Sequence, residues 1–191
     1  WGTVYDPNGN PIDMLIARAT EDTHICCDWV DPNIIYVDEQ AQGNNTGVSW
    51  SDAYTDLQSA LNRAAYSTCS GPFTIYAAQG TNLPGDDTGD SFVLPEGVSV
   101  YGGFPPGGGT LNQRSPKKYE TILTGLIDPN TTTRADTIVT MGDETLLDGF
   151  TITDADSSVL SGSIYGSGVD FDVANCVLEK NLGYGAYIES G

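Results

Sequence analysis

The most prominent pattern in the chain is a series of short apolar runs, rich in β-branched and aromatic residues, that are separated by glycine and proline. In residues 92–103, two such runs are joined by the turn Pro95-Glu96-Gly97, and the second run ends at Gly102-Gly103. β-Branched and aromatic side chains favour strands, and Pro and Gly favour tight turns. A strand, a corner and another strand is typical of a chain that winds around an axis. Similar runs occur at residues 34–38, 73–78, 121–126, 137–141, 146–153, 168–178 and 185–188.

These runs predict an all-β fold in which the strands stack in parallel as a β-solenoid. Each turn of such a fold contacts only the turns beside it, so the core is a narrow column. One spacing supports the stacking, because Phe150 and Cys176 are separated by 26 residues, and so are Ile152 and Leu178. The irregular residues 104–118 interrupt the series, and we expect this loop to project from the stack.

One amphipathic helix is expected near residues 51–65. Either Ser51 or Thr55 is expected to supply the hydroxyl group that caps its N-terminus. A helix placed before a run of strands can cover the end of the stack and hide backbone groups that otherwise pair with other chains. The apolar stripe at helical spacing consists of Leu57, Ala60, Leu61 and Ala64.

Residues 1–33 differ from this pattern and predict an N-terminal arm, separate from a β-domain at residues 34–191. The arm contains too few apolar residues to fold as a domain by itself. It must therefore dock, either on its own β-domain or on a neighbouring subunit by strand addition. The sequence leaves both interpretations open.

The charge of the chain excludes several classes of partner. Seven Lys and Arg against 26 Asp and Glu give a formal net charge of −19. Nucleic acid and anionic lipid both need a positive surface, so neither is an expected partner. No apolar run approaches the roughly 18 residues of a membrane span.

Three aspartates in a loop with glycines, Asp86, Asp87 and Asp90, are candidate ligands for Ca²⁺. A solvated loop is the alternative interpretation.

Four cysteines indicate an oxidising compartment if they pair. Three connectivities are possible for four cysteines. A bond between the adjacent Cys26 and Cys27 strains the peptide, so we expect each to reach Cys69 or Cys176, within the chain or between chains. Zinc is not expected, because there is no CxxC spacing and His24 is the one histidine. A thiol–imidazole site at His24 is less favoured than disulfides.

A set of ordered motifs resembles the N-terminal part of bacterial secreted proteins of the right-handed parallel β-helix, or pectate-lyase-like, type. The resemblance implies a right-handed parallel β-helix with one N-terminal capping α-helix, at the cell surface or outside the cell. It implies no particular reaction, and it covers neither the arm nor the many further turns that such proteins usually have. The motifs lie between about residues 34 and 182 and include Ile35-Tyr36-Val37-Asp38, residues 47–61, residues 75–81, residues 97–104, Gln113-Arg114 and residues 147–153.

Polysaccharide cleavage, a frequent activity of parallel β-helices, is not expected. Asp170 and Asp172 flank Phe171 and point to one face of a strand, and glycoside hydrolysis needs two carboxyl groups. However, the Gly-His-Gly and Arg-Ile-Lys elements of polygalacturonase-like sites are absent, and the basic residues are scattered. We therefore assign no catalytic or cofactor-binding residue. The tyrosines expected to stack along the faces of the β-domain, with sugar binding as the alternative, are Tyr36, Tyr76, Tyr101, Tyr165, Tyr184 and Tyr187.

The leading hypothesis is a structural, non-enzymatic extracellular protein that self-associates into a surface fibre, filament or surface layer. The helix at the start, the uncapped last turn and the surplus arm leave edges that need a partner. Contact between the arm and the open last turn of a second subunit would give a homo-oligomer or filament. The alternative is a carbohydrate-binding or polysaccharide-cleaving β-helix module of a larger adhesin or enzyme.

Overall fold

A computed structural model describes most of the β-domain and two short pieces of the arm. The described residues are 4–5, 11–12, 33–66, 72–128, 130 and 132–189, and the statements below refer to them. Two strands of the arm, β1 (Val4–Tyr5) and β2 (Pro11–Ile12), pair antiparallel. The remainder of the predicted arm lies outside the described residues, so its docking stays a prediction.

The β-domain contains strands β3–β17, helix α1 (Leu57–Tyr66) and a short 3₁₀ helix (Leu111–Gln113). The strands are β3 (Ile34–Val37), β4 (Thr74–Ala78), β5 (Gly80–Asn82), β6 (Phe92–Val93), β7 (Ser99–Phe104), β8 (Thr121–Thr124), β9 (Leu126–Asp128), β10 (Thr133–Arg134), β11 (Val139–Thr140), β12 (Thr145–Asp148), β13 (Phe150–Thr153), β14 (Asp156–Ser167), β15 (Phe171–Ala174), β16 (Val177–Glu179) and β17 (Leu182–Glu189).

Three parallel sheets hold nearly all of these strands, which confirms the prediction of a mostly β fold with parallel strands. Sheet 1 has the order β3-β4-β7-β12-β15, sheet 2 the order β5-β8-β13-β16, and sheet 3 the order β6-β11-β14-β17. From β11 onward the chain visits sheet 3, sheet 1 and sheet 2 in turn and then returns to sheet 3. β9 and β10 form a separate antiparallel pair.

The register places apolar residues of successive strands on top of one another. Leu147 pairs with Val173, and Ile152 pairs with Leu178, so the predicted 26-residue spacing is the register of β12 with β15 and of β13 with β16. Burial alternates along the strands, with inward residues excluded from solvent and outward residues partly exposed. The largest fully buried side chains are those of Phe92, Phe104, Phe150, Ile35, Leu57, Leu61, Ile75, Leu94, Leu123, Ile138, Leu147 and Ile152.

Helix α1 buries the predicted apolar stripe but begins later than expected. The stripe of Leu57, Ala60, Leu61 and Ala64 is buried, as predicted. The backbone of Tyr54 is bonded to β3, since its N–H donates to Tyr36 O (2.9 Å) and its carbonyl accepts from Asp38 N (2.8 Å). Residues 51–56 are therefore not available to the helix.

The cap of α1 is Asp56, and the prediction of Ser51 or Thr55 was wrong. Asp56 Oδ1 accepts a hydrogen bond from the backbone N–H of Ser59 at 2.7 Å, which is the bond that an N-cap residue makes. The helix then packs against β3, β4 and β6. Because β3 and β6 are the terminal strands of sheets 1 and 3, α1 covers this end of the stack.

The corner between sheets 1 and 2 requires a left-handed backbone conformation. Gly149 follows β12 with φ +84°, and Asn175 stands at the corresponding position after β15 with φ +51°. Glycine and asparagine are the residues that adopt this conformation most readily. A Cβ atom on Gly149 would also lie 2.0 Å from Arg114 Nη2 and 2.7 Å from Pro116 Cγ.

We predict that Gly149→Ala destabilises the fold by about 2–4 kcal/mol, because the backbone conformation alone costs about 1 kcal/mol and the methyl group collides with Arg114. Gly107→Ala is the matched control, since Gly107 has φ +77° and no heavy atom lies within 4 Å of its Cβ position. Gly107→Ala should therefore lose only the roughly 1 kcal/mol that the left-handed backbone conformation costs. Urea unfolding of the two variants and the wild type provides the measurement. Equal losses in both variants would contradict the proposed collision.

Candidate functional site

An ion pair joins the loop after β7 to the end of β12. Arg114 Nη2 lies 2.7 Å from Asp148 Oδ1, and Nη1 lies 3.2 Å from Asp148 Oδ2. Nη2 also donates to the backbone carbonyl of Asp148 at 2.6 Å. Both side chains are only 12% exposed. A two-pronged contact of this kind, withdrawn from water, is stronger and more directional than a surface ion pair.

The same guanidinium contacts β7 and one row of aromatic side chains. Arg114 Nε donates to the carbonyl of Gly102, and the Arg114 Cζ atom lies 5.4 Å from the centre of the Tyr101 ring. Asp148, on β12, is paired in register with Tyr101 on the neighbouring strand β7. Arg114 therefore clamps the end of the irregular loop to two adjacent strands.

Five of the six predicted tyrosines lie in rows along the faces of the sheets, with edge-to-face pairs on sheet 1, whereas Tyr184 is in register with Gly162. Tyr36, Tyr76 and Tyr101 are in register on β3, β4 and β7, with ring centres 6.1 and 5.9 Å apart. On sheet 3, Tyr165 and Tyr187 are in register and stack at 6.1 Å. Such cross-strand pairs stabilise the pairing of their strands.

Asp148 is kept ionised by its neighbours. Its burial raises its pKa, but hydrogen bonds from Arg114 and from Asn175 Nδ2 (2.8 Å), together with the charge of Arg114, outweigh burial. The pKa of Asp148 is therefore lowered from its ordinary value of 3.8. Asn175 thus has two roles, since it occupies the left-handed corner and also bonds to the carboxylate.

Cys176, the residue after this corner, forms no disulfide with another described residue, and its side chain packs against the core. Its Sγ atom lies 3.6 Å from the carbonyl oxygen of Leu147, to which it donates. Burial raises the pKa of the Cys176 thiol, and the charge of Asp148 adds to this effect. A thiol with a raised pKa is largely protonated at neutral pH and is a poor nucleophile.

A groove of about 790 Å³ runs beside the clamp. The apolar side chains of Pro116, Phe150 and Val177 line part of it, and polar groups such as Lys117 and Glu120 line the rest. Glu120 Oε1 accepts the hydroxyl hydrogen bond of Thr151 at 2.8 Å. Arg114 also lines this groove, while its guanidinium is engaged with Asp148.

The predicted calcium ligands are not grouped as a metal site in the described residues. Asp90 Oδ2 accepts a hydrogen bond from the backbone N–H of Asp87 at 3.0 Å, so this carboxylate closes its own loop. The described part of the chain contains no group of three His, Cys, Asp or Glu side chains that is positioned to hold a metal ion. Calcium binding at Asp86, Asp87 and Asp90 stays a prediction.

The disulfide scheme also stays a prediction. Cys26, Cys27 and Cys69 lie outside the described residues, as does His24.

Asp170 and Asp172 line a hollow of about 560 Å³ together with Glu144, and the backbone N–H of Asp170 donates to Asp143 Oδ1 at 2.8 Å. Among the described residues, no Lys, Arg or His lines this hollow.

Sequence reasoning missed the clamp, although both partners belong to motifs that carried the family resemblance. Arg114 belongs to the motif Gln113-Arg114 and Asp148 to the motif at residues 147–153, and neither motif points to the other. One signal is present, because an acidic residue directly before a corner glycine lies at the end of a strand, where a loop can reach it. The partners are 34 positions apart in the sequence, so no local pattern reveals their contact.

A second feature is the open end, which we define as the strands β15, β16 and β17. Each is the terminal strand of its sheet, so one edge of each has no partner strand among the described residues. Val173 and Leu178 occupy core positions, in register with the fully buried Leu147 and Ile152, but are 40% and 38% exposed. Ile188, on β17, is 67% exposed. Unpaired edges with exposed apolar residues favour pairing with another chain.

No protein-family model matches this chain, and neither a curated protein nor a solved structure shows a significant similarity to it. Within the described residues, no helix has both the length and the apolar character needed to cross a membrane.

We predict that Asp148→Asn destabilises the fold by about 3 kcal/mol at neutral pH, because it leaves the Arg114 charge unpaired. The folded-state pKa of Asp148 is lowered, so its contribution is complete above 3.8 and disappears as the pH falls through the lowered value. The difference in unfolding free energy between wild type and variant should thus be constant down to about pH 5 and shrink in stronger acid.

Glu179→Gln is the control for this series, since Glu179 and its partner Lys180 are 48% and 71% exposed. An exposed pair contributes at most about 1 kcal/mol, so the change should be small at every pH. Urea unfolding at several pH values measures both variants. A pH-independent loss in Asp148→Asn would show that the carboxylate charge is not the cause.

Proposed function

We propose that this chain is a structural, non-enzymatic extracellular protein that self-associates through the open end. The proposal includes the finer fold, a right-handed parallel β-helix with α1 as its N-terminal cap, and membership of the bacterial secreted β-helix proteins that the motifs resemble. Fibres, filaments and surface layers are the assemblies that such a subunit can build. The observation that carries the proposal is the exposure of core positions on the three terminal strands.

The succession of strands supports the β-helix. The chain returns to the same sheet after every third strand from β11 onward, and all pairs within the three sheets are parallel. Parallel pairing needs a crossover connection, and here the crossovers are the strands of the other two sheets. A right-handed crossover is the hand that parallel strands adopt almost without exception.

The open end supports self-association. In a stack of turns, each inward side chain is shielded by the turns on both sides. Val173 and Leu178 have such a neighbour on one side only and therefore remain partly in water. A second subunit that meets these strands would remove apolar surface from water and pair the free backbone groups.

We predict that Val173→Lys weakens self-association at least about tenfold, because a charge then occupies the apolar interface. Val48→Lys is the matched control, since Val48 is 37% exposed, similar to the 40% of Val173, and lies in a loop away from the open end. Light scattering over a range of protein, salt and calcium concentrations measures association, and thermal unfolding checks that both variants fold. A wild-type chain that stays monomeric under all these conditions contradicts the proposal.

Glycan binding is the second candidate function, and the groove beside Arg114 is the observation that favours it. Pro116 and Val177 provide apolar surface, while Lys117 and Glu120 provide charged hydrogen-bonding groups. Pockets for sugars and other polar ligands combine these two kinds of surface. A glycan array tests this candidate with the wild type and a Lys117→Ala variant. Signals that the variant loses would support it, and an array without signals removes it.

A further inference from the structure

We infer that Tyr165 and Tyr187 form a site of oxidative crosslinking, at which a peroxidase and hydrogen peroxide join the two rings as dityrosine within one chain. The inference goes beyond the proposed function and does not depend on self-association. It rests on the position, the mutual orientation and the accessibility of the two side chains. The new bond ties β17 covalently to β14, the strand with which it pairs.

The two tyrosines lie side by side in a row on the outer face of sheet 3. The register of β6, β11, β14 and β17 aligns Val93, Thr140, Tyr165 and Tyr187. Val93 is 53% exposed and both tyrosines are partly exposed, whereas Ile164, next to Tyr165 in the chain, is buried. The row therefore faces solvent, where an oxidant can reach both rings.

The orientation of the two rings favours a bond between them. Their planes are 4° apart, and their centres are 6.1 Å apart. Two aromatic radicals bond through the π orbitals that stand perpendicular to each ring, so parallel rings direct these orbitals toward each other. Groups that are held with their reacting orbitals aligned react far faster than groups that meet by diffusion. A rotation about the side-chain bonds then brings the reacting carbons together, and partial exposure leaves room for it.

The tyrosine row on sheet 1 provides an internal comparison. Its ring centres are 6.1 and 5.9 Å apart, nearly the same distances, but its ring planes meet at 74° and 76°. Its rings are also packed against other aromatic groups, since Tyr36 contacts Trp50 at 4.8 Å and Tyr76 stacks on Phe104 at 4.7 Å. We therefore expect no dityrosine between Tyr36, Tyr76 and Tyr101, although their separation is similar.

The carboxylate of Glu189 provides a proton acceptor for Tyr165. Tyr165 Oη donates to Glu189 Oε2 at 3.4 Å, and Ser167 Oγ donates to the same oxygen at 3.2 Å. Oxidation of a neutral phenol removes both an electron and a proton, so a base within hydrogen-bond reach of the phenol promotes it. Glu189 therefore favours formation of the radical at Tyr165.

The reaction consumes one molecule of hydrogen peroxide for each crosslink. Each phenol loses one electron and one proton, and these electrons and protons reduce the peroxide to two molecules of water. The two radicals then form one C–C bond between the ring carbons adjacent to the oxygen-bearing carbons. The hydrogen atoms of these two carbons move to the oxygens, which restores both phenols. The product therefore contains two hydrogen atoms fewer than the original chain.

Peptide mapping of the oxidised full chain tests the site. The protein is treated with peroxidase and hydrogen peroxide until Tyr66, which is 84% exposed, has been consumed. Trypsin releases residues 135–180 as one peptide, whose single tyrosine is Tyr165. The next peptide contains both Tyr184 and Tyr187, which fragmentation in the mass spectrometer distinguishes. We expect the two peptides to be joined at Tyr187, with the loss of two hydrogen atoms and with dityrosine fluorescence.

Four variants identify the groups that react. Tyr165→Phe and Tyr187→Phe should each remove the crosslink, because phenylalanine has no O–H group to oxidise. Tyr36→Phe is the matched control, since Tyr36 has the same ring separation of 6.1 Å in an edge-to-face pair, and it should leave the yield unchanged. Glu189→Gln removes the base and should lower the yield, while Tyr66 is consumed at an unchanged rate. Thermal unfolding checks that all four variants fold.

The outcomes either support or overturn the inference. A link at Tyr184 in place of Tyr187, or consumption of Tyr66 without a link between the two peptides, overturns it. A mixture of unlabelled and ¹⁵N-labelled chains shows whether the link forms within one chain, and mixed-label links at Tyr187 also overturn it. An unchanged yield in Glu189→Gln contradicts the role of Glu189. The link forms in a monomer as well as in an assembly, so these results are separate from the light-scattering test of self-association.

Discussion

The fold depends on the stacking of identical register positions in parallel strands. Ile35, Ile75, Val100, Leu147 and Val173 follow one another across sheet 1, and the first four are excluded from solvent. Each side chain in this column is buried by its neighbours in the strands before and after it, so burial is a property of the stack rather than of any single strand. The same dependence explains why Val173, at the end of the column, is partly exposed. The burial of the inner residues and the partial exposure of Val173 therefore have the same cause, namely the presence or absence of a neighbouring strand.

The chain passes from one sheet to the next at corners of defined backbone conformation, and the contacts of Arg114 stabilise one of these corners. Gly149 and Asn175 supply the left-handed conformation that the corner between sheets 1 and 2 requires. Arg114 reaches this corner from the irregular loop and binds Asp148, while Asn175 binds Asp148 from the next turn. Three segments that are far apart in sequence are thereby joined at one carboxylate. The Asp148 carboxylate is thus engaged by the Arg114 guanidinium and the Asn175 amide, and burial raises the pKa of the neighbouring Cys176 thiol.

Local patterns predicted most of the strands, their parallel pairing and the buried stripe of α1, because each depends on spacing within a short window. They missed β5, β10 and the long β14, which contain few apolar residues. Contacts across the fold were not predictable in this way. The helix starts at Leu57 because Tyr54 is bonded to β3, and Asp148 is paired with an arginine 34 residues before it. The candidate groove was missed for the same reason, since its walls come from the loop near Pro116 and from the corners at Gly149 and Asn175. Periodicity identifies which residues face inward, but it does not identify which loop returns to cover a corner.

The two ends of the domain differ, because α1 covers one end and the strands β15, β16 and β17 form the other. At the end covered by α1, an additional turn would have to displace the helix from its buried contacts with β3 and β6. At the open end, an added unit of 26 residues could continue the register of β12–β15 and β13–β16 without changing any existing contact. Each of the three sheets thus has an edge for a further strand at the open end, whereas at the other end α1 packs against β3 and β6. In the β-helix that we propose, whole turns would therefore be added on the side away from the helix.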